Sequence, residues 1–280
     1  MKIAICISGE TRGFNWADDN NSNMPEGFEL QNFINLIEDQ YPKAEVDIYA
    51  HTWDHCKQPN KDLFNYKKLE VTSQKEIVDW VSERFARRAY QNRMDFDKRV
   101  VLKDLGPEAY VNTLLEVSKN NYAQQWGAFK AYNLLQGVDE KYQLVIRWRW
   151  DNGIPEHTMD MLPRFWKAWD QILQNPEEDQ GVTLFQSMSL YHFVHPGVLA
   201  PEDIFFVHNE PASQILRDIS FPVLLDNIIY QQKGPEKYAN HTLWGHVFQH
   251  ANIGVGSFDM PTCVQIARVG PYVKEPNGMF

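Results

Sequence analysis

The apolar positions of this chain fall into two patterns, short continuous runs and helical repeats. The run Ile3–Ile7 predicts a buried strand, and a second run, Val46–Ala50, predicts another. Between them, the apolar residues of Leu30–Ile37 recur at i, i+3, i+4 and i+7, which is typical of an amphipathic helix. Because strand, helix and strand follow one another directly, we expect a βαβ unit, a parallel sheet and a right-handed crossover.

The same patterns continue through the rest of the chain. Further helices are predicted from Ser73 and over Tyr122–Gln136, Phe165–Leu173, Ala212–Ile219 and Tyr238–His250. Further strands are predicted over Tyr142–Ile146, Val182–Phe185 and Ile204–Val207, and the residues after His250 are expected to form an irregular tail rich in Pro and Gly. Gly137 stands where a helix C-cap would be. We therefore expect one mixed α/β domain over residues 1–280, with a mainly parallel sheet flanked by helices.

The strand Tyr142–Ile146 runs directly into charged residues, Arg147, Arg149 and Asp151. Residues two apart in a strand share a face, so these three would project together while Trp148 points the other way. Charges on an otherwise apolar strand are costly to bury without a partner. Two alternatives stay open: an internal carboxylate, or an anionic ligand at the carboxyl edge of the sheet.

Two other predicted strands end in polar sets. After Ile7 come Ser8, Gly9 and, a little further on, Arg12, while Ala50 is followed by His51 and Trp53. Neither set has the glycine spacing of a dinucleotide fold or a P-loop. In open α/β sheets ligands bind at the carboxyl ends of strands, so the agreement of three strand ends indicates a ligand site. Trp53 would stack on a base or sugar, or would simply cap the core.

Charge and cysteine content limit the candidate functions. The formal net charge of −10 argues against a protein whose whole surface binds nucleic acid. One basic segment, residues 84–103, includes Arg87, Arg88 and Arg93; it is either a solvated helix face or a flank for an acceptor bearing phosphates. The three cysteines are widely spaced and predict reduced thiols in the cytoplasm, and no apolar stretch is long enough for a membrane span.

These residues together resemble a group of glycosyltransferase-like proteins with the GT-A fold, found in bacteria, some algae and bacteriophages. The resemblance covers most of the chain, in order. Its matching pieces are Ser8-Gly9 with Arg12, His51-Thr52-Trp53-Asp54, Gln125-Trp126, the Arg147-x-Arg149-x-Asp151 strand end, Glu202-Asp203-Ile204-Phe205-Phe206 and His241-Thr242-Leu243-Trp244.

The resemblance implies a nucleotide-sugar donor and raises the question of a divalent metal. GT-A enzymes usually hold Mn²⁺ or Mg²⁺ with an Asp-x-Asp motif and often a later histidine. Here Asp151 matches the last carboxylate and Arg149 occupies the first, while His246 is a candidate later ligand and, alternatively, a helix C-terminal cap. Because fixed guanidinium groups and a metal both stabilise a departing diphosphate, the metal stays an open expectation.

The resemblance also suggests roles for the individual residues. Residues 1–155 would form the nucleotide-sugar-binding half, where Ser8, Gly9, Arg12, Arg147 and Arg149 would surround the diphosphate and His51 or Trp53 the nucleoside. Residues 156–280 would form the acceptor-binding half. Its expected residues are the general base Asp203 with its neighbour Glu202, and His192 and His195 beside the acceptor together with the basic residues Arg87, Arg88 and Arg93.

The sequence therefore predicts a glycosyltransferase that moves a sugar from a nucleotide-diphosphate donor, with a UDP-sugar first, to an acceptor hydroxyl. The acceptor would be a glycan or a hydroxymethylated base in bacteriophage DNA. Two alternatives remain: a non-catalytic GT-A-like module that binds a nucleotide or glycan, favoured by the incomplete Asp-x-Asp, and a sugar nucleotidyltransferase, disfavoured by the absence of a basic Gly-rich loop after the first strand.

Overall fold

The protein is described by a computed structural model. Its described residues are 1–9, 27–56, 58–77, 79, 122–150, 152–154, 159–160, 162–174, 181–186, 205–220, 223–224, 240–258 and 264–265. These residues form a mixed α/β arrangement in which helices cover both faces of a seven-stranded sheet. The expected fold class, a mixed and mainly parallel sheet flanked by helices, is confirmed.

The strands of the sheet are β1 (Lys2–Ser8), β2 (Glu45–Trp53), β3 (Tyr66–Thr72), β4 (Leu144–Arg149), β6 (Val182–Gln186), β7 (Phe206–Asn209) and β8 (Gly254–Phe258). Their order in the sheet is β3-β2-β1-β4-β7-β6-β8. The two short strands β5 (Asn152–Gly153) and β9 (Val264–Gln265) form a separate antiparallel pair.

Strand β1 lies in the parallel part of this sheet. It pairs in parallel with β2 on one side and with β4 on the other, and β3 pairs in parallel with β2. Strand β7 is antiparallel to both β4 and β6, and β8 is parallel to β6. After β1 the chain continues to β2 on one side of β1, and it later returns as β4 on the other side. The space between the carboxyl ends of β1 and β4 is therefore a topological switch point.

Five helices flank the sheet in the described part of the chain. They are α1 (Phe28–Gln40), α2 (122–133), α3 (Leu162–Gln174), α4 (Glu210–Asp218) and α5 (Asn240–His250), and a helical turn over 74–77 follows β3. None of the helices described combines the length and hydrophobicity that a bilayer crossing requires.

The two faces of the sheet bury separate cores. On one face Phe33 of α1 stacks on Trp148 of β4, with ring centroids 4.3 Å apart, and α3 adds Trp169. On the other face Phe129 of α2 stacks on Trp244 of α5 at 5.5 Å. The side chains of β4 alternate between these cores as predicted, because Trp148 belongs to the first core and Arg147 contacts rings of the second.

Most predicted elements are confirmed; strand β3 was missed, the prediction for the tail is wrong in part, and one predicted strand has different bounds. The strand β3 was not predicted, because as an edge strand it carries exposed lysines in place of an apolar run. The tail after His250 is not wholly irregular, since it contains β8 and β9. Glycines are unfavourable in strands, so the sequence of β8 does not predict a strand, which forms because it pairs with β6. The strand predicted over Ile204–Val207 is present as β7, which runs over Phe206–Asn209.

Candidate functional site

The polar ends of β1, β2 and β4 lie at one edge of the sheet. In the β1–β4 ladder Ser8 is paired with Arg149, and Ile7 is paired with Ala50 in the β1–β2 ladder, just before His51. Because the three strands are parallel, their carboxyl ends meet on the same side. We call the set Ser8, Gly9, Thr52 and Arg149 the carboxyl-edge cluster.

The turn after β1 is built around a glycine. Gly9 has φ +112°, a backbone conformation that strains any residue with a Cβ. Its carbonyl accepts a hydrogen bond from the Thr52 hydroxyl at 3.2 Å, which ties the ends of β1 and β2 together. Thr52 belongs to the motif His51-Thr52-Trp53-Asp54, but the sequence alone suggested no role for it. Its hydroxyl donates to a backbone oxygen that only folding brings near.

Ser8 offers a buried hydroxyl at this edge. Its side chain is 1% exposed, and its Oγ has no hydrogen-bond partner among the described residues. Leaving such a group unpaired costs on the order of 1–3 kcal/mol. A ligand oxygen bound at the switch point would accept from this hydroxyl and remove that cost.

Arg149 carries the positive charge of the cluster. It is the last residue of β4, it is partly exposed, and its side chain leaves the strand on the same face as that of Arg147. A guanidinium at a strand end beside a hydroxyl suits bidentate binding of a phosphate.

Arg147 lies in a different environment, although it is only two residues away. Its side chain is 1% exposed, and its guanidinium carbon lies 5.3 Å from the ring centroid of Phe206 and 5.1 Å from that of Trp244. These are cation–π contacts within the core between the sheet and α5. The structure thus places Arg147 within the core and Arg149 at the strand end.

His51 and Trp53 are both buried within β2. Trp53 is 1% exposed and packs edge-to-face on His51 at 4.8 Å, which favours core packing over stacking on a base. His51 Nε2 is 2.8 Å from Thr72 Oγ1, and burial, with a smaller contribution from Lys130, lowers the pKa of His51 to about 3. His51 is therefore neutral at pH 7, and its ring lies against Gly127 of α2, where an added Cβ would come within 3.2 Å of Nδ1.

The other predicted site residues lie outside the described residues. They are Arg12, Arg87, Arg88, Arg93, Asp151, His192, His195, Glu202 and Asp203. His246 falls within α5, but nothing is described of its side chain. Among the described residues, no three His, Cys, Asp or Glu side chains converge as metal ligands would.

A buried polar network at His208 was not predicted. The Tyr132 hydroxyl is 2.7 Å from His208 Nε2, and the Thr183 hydroxyl is 2.8 Å from Nδ1. Alternation in β7 places His208 on the same face as Phe206, which was a signal that it points into a core. The network joins α2, β6 and β7.

Comparison with known proteins adds one weak likeness. No family model matches the chain, and no curated protein matches it. Among solved structures, the chain is similar to the crystal structure of mouse xyloside xylosyltransferase 1 in its apo form, with a TM-score of 0.35 and 8% identity over 92% of this chain and 84% of that one.

Proposed function

We propose that this protein is a glycosyltransferase that binds a nucleoside-diphosphate sugar at the carboxyl edge of its sheet and transfers the sugar to an acceptor hydroxyl. The proposal takes a UDP-sugar as the first candidate donor. In this proposal the chain forms a single domain of the GT-A type. Residues 1–155 hold the donor and residues 156–280 hold the acceptor.

One observation carries the proposal. At the switch point between β1 and β4 lie the buried Ser8 hydroxyl, which has no hydrogen-bond partner in the described part of the chain, and the partly exposed Arg149. The two residues are paired in the ladder. Ligands of open α/β sheets bind at such points, outside the carboxyl ends of the strands. A hydroxyl donor and a guanidinium together favour an anionic, oxygen-rich ligand such as a diphosphate.

The transfer itself needs charge stabilisation and a base. As the bond between the anomeric carbon and the diphosphate oxygen breaks, the electron pair leaves with the nucleoside diphosphate, and Arg149 and Arg12 would stabilise its negative charge. The acceptor oxygen forms the new bond to the anomeric carbon, and Asp203, with Glu202 as the alternative, would take its proton. A divalent Mn²⁺ or Mg²⁺ held by Asp151, His246 and the donor phosphates would add positive charge at the same leaving group.

The acceptor in this proposal is either a glycan or a hydroxymethylated base of bacteriophage DNA, inside the cytoplasm. Arg87, Arg88, Arg93, His192 and His195 would contact it. Because phosphate contacts make binding depend on salt, a DNA acceptor predicts an affinity that falls steeply with ionic strength and weakens when the three arginines become alanine. A glycan acceptor predicts neither effect.

Donor turnover tests the proposal directly. Purified protein would be incubated with a panel of nucleoside-diphosphate sugars, with and without Mn²⁺, and the released nucleoside diphosphate measured. We expect slow hydrolysis of one donor that falls at least about a hundredfold in Asp203→Ala and in Arg149→Ala. Arg164→Ala is the matched control, because Arg164 lies exposed on α3, on the opposite face of the sheet.

The other outcomes identify the alternatives. Donor binding without any release would favour a non-catalytic nucleotide- or glycan-binding module. Exchange of labelled pyrophosphate into a nucleoside triphosphate would favour a sugar nucleotidyltransferase. Either result would contradict the transfer reaction.

A further inference from the structure

Two histidines are buried beneath α2. His208 is fully buried in β7, and its Nε2 is 2.7 Å from the hydroxyl of Tyr132 on α2. His51 is fully buried in β2, and its Nδ1 faces Gly127 of the same helix. The core on the opposite face, which α1 and α3 cover, is built from apolar and aromatic side chains.

His208 is held in its neutral form by its partners. A neutral imidazole has one donor and one acceptor nitrogen, and the Tyr132 and Thr183 hydroxyls can each donate or accept to match either tautomer. Burial, and then the nearby Arg147 guanidinium, lower the pKa of His208 to about 3. Protonation would therefore place a second positive charge in the same core as Arg147.

Among the described residues, the other titratable groups around His208 supply no compensating charge. Burial raises the pKa of Tyr132 well above its usual value and also raises the pKa of the Cys6 thiol, so both stay uncharged. From β7 and α5, the aromatic rings of Phe206 and Phe248 pack against the imidazole at 5.8 and 6.4 Å.

Both geometry and charge oppose protonation of His51. Its Nε2 pairs with Thr72 Oγ1, and its Nδ1 has no hydrogen-bond partner among the described residues. Full protonation places an N–H on both ring nitrogens, so Nδ1 would then be a donor that faces Gly127 of α2 and finds no acceptor among the described residues. The charge of Lys130 on α2 also lowers the pKa of His51, and Lys130 pairs at 3.1 Å with Glu70 of β3, the ladder partner of His51.

We propose that His51 and His208 form an acid-sensitive latch that holds α2 on the sheet while both imidazoles are neutral and releases the helix when they gain protons. The release is local, because both histidines lie on the α2 side of the sheet. It would uncover the α2 side of the sheet, which carries His51 and, by strand alternation, Ser8 and Arg149. The inference does not depend on the proposed glycosyl transfer.

The sign of the pH effect follows from the direction of the two pKa shifts. Each histidine has a folded-state pKa below the ordinary value of 6.5. The neutral imidazoles therefore stabilise the closed position of α2 fully above pH 6.5, and this stabilisation is lost as the pH falls towards 3. At pH 4.5 each histidine would raise the opening equilibrium constant by up to about a hundredfold relative to pH 8.

Hydrogen exchange resolved by peptide tests the latch. Protection factors, corrected for the intrinsic pH dependence of exchange, would be compared at pH 8 and pH 4.5. We expect α2 to lose protection by at least about a hundredfold while α1 and α3 lose far less. Equal loss in all three helices, or retained protection in α2, would overturn the proposal.

Variants separate the latch from general acid instability. His208→Gln removes one titration, so the acid-induced loss in α2 should shrink by up to about a hundredfold, and His51→Gln combined with it should remove most of the loss. His250→Gln is the matched control, since His250 is exposed at the end of α5, and it should leave the loss unchanged. If the glutamine variants do not fold, Arg147→Met should still reduce the pH dependence of α2 protection by removing the guanidinium that opposes protonation of His208; an unchanged dependence would overturn the role of that pair.

Discussion

At the scale of the residue, the two arginines of β4 differ although their sequence context is nearly the same. Arg147 lies between the rings of Phe206 and Trp244 with 1% of its side chain exposed, whereas Arg149 reaches the strand end beside Ser8. Because the two arginines are two residues apart in a strand, both lie on one face of the sheet. The spacing does not indicate how deeply each side chain is buried. Depth is decided by α5, which covers Arg147.

This difference predicts that the two alanine substitutions lower the stability by unequal amounts. Arg147→Ala should lower the free energy of unfolding by about 2–4 kcal/mol, because it leaves a cavity and removes two cation–π contacts. Arg149→Ala should lower it by less than about 1 kcal/mol, because that side chain is partly exposed. Urea unfolding measures both, with the exposed Arg164→Ala as control; equal losses for the two β4 variants would contradict the assignment.

At the scale of the element, α4 begins at a side chain that also serves a strand. The Asn209 side-chain oxygen accepts from the backbone N–H of Ala212 at 3.0 Å and from that of Val182 at 2.9 Å. The first bond caps the helix, and the second holds the start of β6. The contact between these elements is close, since a Cβ on Gly181 would lie 2.9 Å from the Cα of Ala212.

Substitutions at Asn209 should separate acceptor chemistry from size. Asn209→Ala leaves two backbone donors without their acceptor and should lower the free energy of unfolding by about 2 kcal/mol or more. Asn209→Asp keeps an acceptor and adds a negative charge at a helix N-terminus, so it should cost less than about 1 kcal/mol. Thermal or urea unfolding at pH 7 would measure the stability of both variants. An aspartate variant as unstable as the alanine variant would refute the capping role.

The sequence predicts those elements whose signal is local. Leu30–Ile37 repeats at helical spacing and Ile3–Ile7 is continuously apolar, so α1 and β1 follow from the pattern alone. Strand β8 does not, because its state depends on pairing with β6. The same holds at the candidate site: the pattern identified the ends of β1, β2 and β4, but the burial of Arg147 and Trp53 depends on helices distant in sequence.

At the scale of the whole molecule, topology and charge set the conditions for ligand binding. The order β2-β1-β4 brings the ends of strands that are far apart in sequence to one switch point. The formal net charge of −10 would repel an anionic donor at long range, so the proposed binding would rest on local positive charge at the carboxyl edge. Such binding should weaken as salt is added.

The binding of a nucleoside-diphosphate sugar at the carboxyl edge is the central claim, and thermal shift tests it most directly. A donor present at about a hundred times its Kd adds about 2.7 kcal/mol to stability, which should raise Tm by several degrees. We expect such a shift with at least one nucleoside-diphosphate sugar, its loss in Arg149→Ala and its retention in Arg164→Ala. The claim would be contradicted if no nucleotide or nucleotide sugar raised Tm, or if Arg149→Ala responded as strongly as the unmodified protein.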